Sequence, residues 1–116
     1  MHQFKKLSVW QKAMSLTTSV YELTENFPAK EQFGLTTQIR RSSVSVASNI
    51  AEGAGRNSKG EFKQFLGIAT GSLYELETQL LISSQVGYTD EQRVNGLISS
   101  IEEIHKMLIG LKASLN

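Results

Sequence analysis

Apolar residues step by alternating threes and fours along the C-terminal part of the chain: Val94, Leu97, Ile101, Ile104, Leu108, Leu111 and Leu115. A mean repeat of about 3.5 residues keeps one stripe of an α-helix against its neighbour while the two supercoil. No strand reads that way, because side chains in a strand alternate with period two. The same stepping recurs at Phe62, Leu66, Ala69, Leu73, Leu76 and Leu80, and at Trp10, Ala13, Thr17, Val20, Thr24 and Phe27. A second stripe of Val9, Leu16 and Leu23 widens the buried face of that first helix.

Local signals divide the pattern into four helices. The first is expected over about Leu7 to Phe27, stopped by Pro28, the chain's one proline. The second is expected from near Glu31 to Gly53, with Leu35, Ile39, Ser42, Val46 and Ile50 on its inner side. Ser58-Lys59-Gly60-Glu61 reads as a capping box that opens the third, and Gly87 as its C-terminal stop. Thr89-Asp90-Glu91-Gln92 reads as a second capping box, opening the fourth. Helices of about 20 residues joined by short loops pack as antiparallel neighbours. The fold expected is therefore all-α, an up-down-up-down four-helix bundle formed by residues 1–116 as one domain. Gly67 and Gly71 lie one turn apart on the third helix. Glycine there costs about 1 kcal/mol relative to alanine, so close approach of another backbone, of the same chain or of a partner subunit, is the expected reason.

Composition narrows the function classes. With no cysteine, disulfides, thiolate metal sites and a cysteine nucleophile are excluded. No apolar run approaches the roughly 18 residues of a membrane span, and no secretory h-region follows Met1–Lys6. A cytoplasmic protein with no membrane partner is expected. The net charge of +1 divides unevenly: residues 1–57 carry seven Lys/Arg against four Glu, and residues 58–116 carry five against seven Asp/Glu.

Chemistry-bearing motifs are few. Glu102 and His105 have the Glu-x-x-His spacing of di-iron bundles, but such a site needs two such pairs, and the remaining histidine is His2. His105 is read instead as a half-buried or solvated side chain, and no metal or cofactor is expected. The glycine-containing stretch Gly53–Gly60 lacks the Gly-Lys-Ser/Thr ending of a phosphate loop and follows no strand. Arg56, Lys59 and Lys63 cluster where the third helix presents free N–H groups, a candidate anion contact. Glu75 and Glu77 point about 200° apart on a helix and cannot flank one bond. Their expected role is ionic pairing with Arg40, Arg41 or Arg56 across a helix or subunit interface. Tyr74 and Tyr88 fall outside the core register and are expected at exposed or interface positions. No nucleophile–base–acid set is present, so no enzyme is expected.

Several segments, in order, resemble one known family: Leu7–Ala13, Phe33-Gly34-Leu35, Gln38-Ile39-Arg40-Arg41, Asn49-Ile50-Ala51-Glu52-Gly53 and Gly71–Gln79. They are similar to the four-helix-bundle proteins encoded within 23S ribosomal RNA intervening sequences, a ribosomal-protein-like family. The match covers nearly the whole chain. One departure is visible: the family usually carries proline after the Val/Ile in the middle of helix two, whereas Val46 here is followed by Ala47.

The resemblance implies a ring-shaped homopentamer and a non-enzymatic role linked to RNA or the ribosome. Another bundle it resembles is the accessory variability determinant of diversity-generating retroelements, which works with a reverse transcriptase and is typically more basic. Two residue sets follow as expectations. Arg40, Arg41, Asn49, Glu52, Glu75 and Glu77 form a polar network setting bundle register or subunit pairing. Lys5, Lys6, Lys12, Arg56, Lys59 and Lys63 contact nucleic acid, in a ribosome-linked module or in an accessory subunit of a reverse-transcriptase system. The partners expected are further copies of the chain, RNA or the ribosome, and an unidentified protein.

Overall fold

A computed structural model describes residues 3–116, so His2 lies outside the described residues. Four helices account for most of the chain: α1 (Ser8–Thr24), α2 (Leu35–Ala54), α3 (Lys59–Gln85) and α4 (Glu91–Ser114). Single 3-10 turns at Phe4–Lys6 and Ala29–Glu31 precede α1 and α2, and no strand occurs among the described residues. Each helix packs on its neighbour in sequence, and α1 also packs on α4, which closes a ring of four around one apolar core. The molecule measures 43 × 24 × 20 Å.

Partners across the interfaces run in opposite order. Thr17 bonds to Ser43 while Thr24 meets Arg40. Ser42 meets Gln79 while Ser45 meets Ser72. The loops joining α1 to α2 and α3 to α4 therefore sit together at one end, tied by Tyr88 and Glu31. The other end gathers the start of α1, the end of α2, the start of α3 and the end of α4, where Lys63 bonds Asn116, while Lys12 pairs with Glu103 midway along α4.

The apolar stripes face inward as their spacing requires. On α3, Phe62, Leu66, Ala69, Leu73, Leu76 and Leu80 are all buried, as are Val94, Ile101, Ile104 and Leu108 on α4. Leu97 and Leu111 of the α4 stripe are half-buried. On α1 the deeper stripe is Val9, Leu16 and Leu23 with Ala13 and Val20, while Trp10 lies half-buried at its rim against Phe4.

Helix boundaries differ from expectation for local reasons. α1 ends at Thr24, because Pro28 has no N–H to give the Thr24 carbonyl; that carbonyl takes the Phe27 N–H at 3.1 Å instead. α2 starts at Leu35 rather than Glu31. Gly34 holds a non-helical backbone, and the Glu31 carboxylate reaches forward to accept the Leu35 N–H at 3.0 Å. Ser58 caps α3 as its motif predicts, accepting the Glu61 N–H at 3.1 Å. Gly87, at φ +85°, ends that helix: the Tyr88 N–H reaches back to Ser83 O and the Gly87 N–H to Ser84 O. At α4 the cap is Asp90, not Thr89. Its carboxylate accepts the Arg93 N–H at 2.7 Å, while the buried Thr89 hydroxyl finds no partner.

One glycine assignment changes. Gly53 does not stop α2, which continues to Ala54; it is buried where α2 crosses α3. A Cβ at Gly53 would lie 2.8 Å from Phe65 Cβ and 3.0 Å from Phe62 Cδ1, so the close helix approach depends on this position. Gly67 and Gly71 have nothing within 4 Å of where a Cβ would sit and face outward. No backbone of the same chain approaches them.

Candidate interaction surfaces

The six cations expected at nucleic acid all lie toward one end of the bundle. Lys5 and Lys6 lie in the turn before α1 and Lys12 in its second turn; Arg56, Lys59 and Lys63 surround the α2–α3 connection. All six belong to the end where α1 and α3 begin. Residues 5–12, 52–63 and 102–112, which form that end, carry eight Lys/Arg against four Glu. Residues 22–41 and 75–93, toward the other end, carry seven Asp/Glu against four Lys/Arg. The bundle is thus electrically polarised along its length, a property hidden in the near-neutral total.

Three of the six cations are already engaged. Lys12 lies 2.6 Å from Glu103, Arg56 pairs with Glu52 at 3.1 Å and stacks over Phe65, and Lys63 bonds the Asn116 side chain. Both ion pairs are solvent-exposed, where such contacts contribute about 0–1 kcal/mol and yield readily to a competing phosphate. Lys5, Lys6 and Lys59 hold no ion pair among the described residues. The Ser58 hydroxyl, by capping Glu61, takes up one of the α3 N–H groups that an anion would use.

The expected polar network is not one network within the chain. No pair joins Arg40, Arg41 or Arg56 to Glu75 or Glu77. Arg40 turns toward α1, with Nε 2.9 Å from the Thr24 hydroxyl, its guanidinium 4.6 Å over the Tyr21 ring and Glu25 at 3.8 Å. Arg56 is taken by Glu52 on its own helix. Arg41 is exposed and unpaired among the described residues, and with Arg40, Tyr21, Thr37, Val44 and Ser45 it lines an open groove of about 470 Å³ on the outer side of α1 and α2. Burying these charges among apolar side chains costs more than a surface pairing returns, so the folded chain leaves them at the periphery.

What joins α2 to α3 is a seam of short polar side chains that helical periodicity alone did not mark. The Ser42 hydroxyl lies 3.0 Å from Gln38 O, 2.7 Å from Glu75 Oε1 and 2.8 Å from the Gln79 side-chain amide. A hydroxyl has one proton, so Ser42 can donate to only one of these three partners at a time. Ser45 meets Ser72 at 2.9 Å, and Asn49 donates back to Ser45 O at 2.8 Å. Glu75 thus meets a serine of α2 rather than an arginine, and Asn49 bonds within its own helix. Glu77 is half-buried and Glu75 exposed.

The two remaining aromatic assignments divide. Tyr74 is exposed, its ring edge-on to His105 at 5.2 Å. The half-buried His105 is thus a ring partner, and no group of three His, Cys, Asp or Glu side chains placed to hold a metal occurs among the described residues. Tyr88 is not a free surface residue: it packs on Phe27 and donates to Glu31 Oε2 at 2.7 Å. That hydrogen bond, together with the Leu35 N–H, holds the Glu31 carboxyl below its ordinary value of 4.5, and Glu31 raises the Tyr88 phenol above 10.0. No helix of the described residues is long and apolar enough to cross a membrane.

The model of the 23S rRNA-intervening sequence protein family matches residues 5–110, which include the basic end, the serine seam and the tyrosine–glutamate tie. The chain belongs to that family. A solved structure of the S23 ribosomal protein family, a protein of unknown function from Bacteroides thetaiotaomicron, is 25% identical with a TM-score of 0.80, over 90% of this chain and 97% of that one. No curated protein matches the chain. Membership of the intervening-sequence family agrees with the four-helix architecture and with the resemblance carried by Gln38–Arg41, Asn49–Gly53 and Gly71–Gln79.

Proposed function

We propose that the chain is a non-enzymatic, cytoplasmic interaction module that assembles with copies of itself and engages RNA or the ribosome through its basic end. The gathering of Lys5, Lys6, Lys12, Arg56, Lys59 and Lys63 at one end of a polarised bundle is the observation that carries the RNA contact. Family membership supports ribosomal RNA as the setting. The opposed contact order of Thr17–Ser43, Thr24–Arg40 and Ser45–Ser72 supports up-down-up-down connectivity.

Self-association rests on the outer face of α3. Gly67, Ile68 and Gly71 face outward with no neighbour from the same chain above either glycine, and two helix-weakening glycines there suit a helix from another copy. The resemblance implies a ring of five, in which a small basic patch repeated around the ring would gain avidity. Arg41, unpaired within the chain, is the side chain this reading assigns to a neighbour's carboxylate. Sedimentation of Gly71→Leu tests the assembly: the assembled mass should fall to that of the single chain. An unchanged mass would remove this face from the interface.

Fluorescence anisotropy with a ribosomal stem-loop at roughly 50 and 200 mM salt tests the RNA contact. Binding should fall steeply with salt and weaken on Lys59→Ala; no binding at the lower salt would leave a protein-only scaffold. A second reading, a nucleic-acid-binding accessory subunit of a reverse-transcriptase system, uses the same cations. It would reveal itself by equal binding to an unrelated duplex.

A further inference from the structure

The end of the bundle away from the basic cluster carries an apolar corner that the RNA-binding reading does not use. Phe33 lies in the connection between α1 and α2 and is 90% exposed. A phenylalanine so fully in water is unusual even for a surface that tolerates scattered apolar groups. Its loop is well tied. Glu31 accepts the Leu35 N–H at 3.0 Å and the Tyr88 hydroxyl at 2.7 Å, and Gly34 N donates to Glu31 O at 2.9 Å. The side chain is thus presented from a clamped backbone, so little further ordering is needed for it to enter a partner.

Phe33 does not stand alone. Ser42 opposes Gln79 across the α2–α3 seam, and contact order runs oppositely in the two helices. Seven residues back along α2 is Leu35, and seven on from Gln79 is Val86, the residue that follows α3. That register sets Phe33 level with the end of α3, where Ile82 is 43% and Val86 55% exposed. One turn at the end of α3 and one loop thereby set an aromatic and two aliphatic exposed side chains at the same level of the bundle.

Charge selects the occupant. The half of the molecule bearing this corner, residues 22–41 and 75–93, carries seven Asp/Glu against four Lys/Arg. A phosphate backbone is repelled there, although a lone exposed phenylalanine would otherwise suit base stacking. A lysine- or arginine-bearing amphipathic segment is attracted. We infer that Phe33, Ile82 and Val86 form a docking corner for a cationic amphipathic protein helix, seated at the acidic end while the basic end is left free. Apolar side chains of such a helix cover the corner, and its lysines or arginines face the acidic rim, with Glu91 opening the adjacent α4.

The probe is a labelled peptide of about 18 residues, roughly five helical turns, with leucine and lysine at amphipathic spacing; a leucine–glutamate peptide of the same pattern is the comparison. Anisotropy with the full chain should give saturable binding of the lysine peptide, weakened at least tenfold by Phe33→Ser and severalfold by Glu91→Lys. Both residues are exposed, so thermal melting should confirm that the variants fold. Any binding of the glutamate peptide should be indifferent to Phe33→Ser, as should RNA binding at the opposite end. Lysine-peptide binding that survives Phe33→Ser unchanged, or equal Phe33-dependent binding of both peptides, would overturn the inference. So would a fall in the assembled mass of Phe33→Ser, which would give the corner to a second copy of the chain.

Discussion

Replacing Gly53 by alanine tests the closest helix contact in the molecule. The new Cβ would lie 2.8 Å from Phe65 Cβ, 3.0 Å from Phe62 Cδ1 and 3.3 Å from Phe62 O. Carbon atoms prefer separations of about 3.5–4.0 Å, so α2 and α3 must part by several tenths of an ångström or more. Two of the three obstructing atoms, Phe65 Cβ and Phe62 O, are fixed to the backbone and cannot swing away. Such overpacking costs about 1–3 kcal/mol, and a backbone-bound obstruction belongs near the upper value. Alanine returns about 1 kcal/mol through helix propensity, leaving a net loss of about 2 kcal/mol. At an unfolding entropy of about 2.1 cal/mol/K per residue over 116 residues, that is a fall in Tm of about 8 °C. Thermal circular dichroism at a fixed protein concentration measures it, with Gly110→Ala as the matched control. Gly110 also lies in a helix, but nothing stands within 4 Å of its Cβ position, so alanine there should raise Tm by about 4 °C. A Gly53→Ala protein that melts at or above the parent would refute the close crossing.

Further outcomes follow from single contacts. Asp90→Ala should lose about 1 kcal/mol with its N-cap, while Thr89→Ala should not lose a cap at all; equal losses in denaturant melts would return the cap to Thr89. Tyr88→Phe unties the two loops at the acidic end, and its cost should depend on pH. The depressed Glu31 contributes stability above about pH 4.5 that is lost as pH falls through its lower folded value. The raised Tyr88 contributes stability below pH 10.0 that is lost as pH rises through its higher one. The Tm gap between parent and Tyr88→Phe should therefore be flat near neutrality and close at both extremes; a gap that persists in acid would exclude the Glu31 bond as its source. Arg40→Ala should cost only about 1–2 kcal/mol in a denaturant titration, from its Thr24 and Tyr21 contacts. Its nearest carboxylate, Glu25, is 77% exposed and is not stranded by the change, so a loss of several kcal/mol would mean a buried partner from another copy.

The helices and their inner faces were legible because 3.6 residues per turn converts spacing into direction. Leu66, Leu73 and Leu80 could hardly share a stripe and not a side of α3. Caps were nearly as readable where one donor and one acceptor decide them: Ser58 and Gly87 behave as their motifs require, and Asp90 displaces Thr89 by one residue because its carboxylate reaches the Arg93 N–H. The charged residues were read less well. Arg40 and Glu75 sit on adjacent helices, and sequence spacing places both near the α2 seam. Which opposite charge each meets depends on which side of its helix faces which neighbour. Arg40 faces α1 and Glu75 faces Ser42, so they point apart.

The sequence alone determined that this chain makes four amphipathic helices with one apolar core, since those are properties of local propensity and of period. It also placed the six cations in two separate stretches, but only the tertiary structure brought them to one end and the excess of carboxylates to the other. The same holds for Gly53, whose missing Cβ matters only because α3 passes within touching distance, and for Gly67 and Gly71, whose Cβ positions have nothing within 4 Å among the described residues. Direction along a helix is a local quantity, written in the order of its residues; proximity between helices is a property of the packed whole. Period predicts which face is apolar, whereas the order in which helices surround the core decides what each remaining face meets.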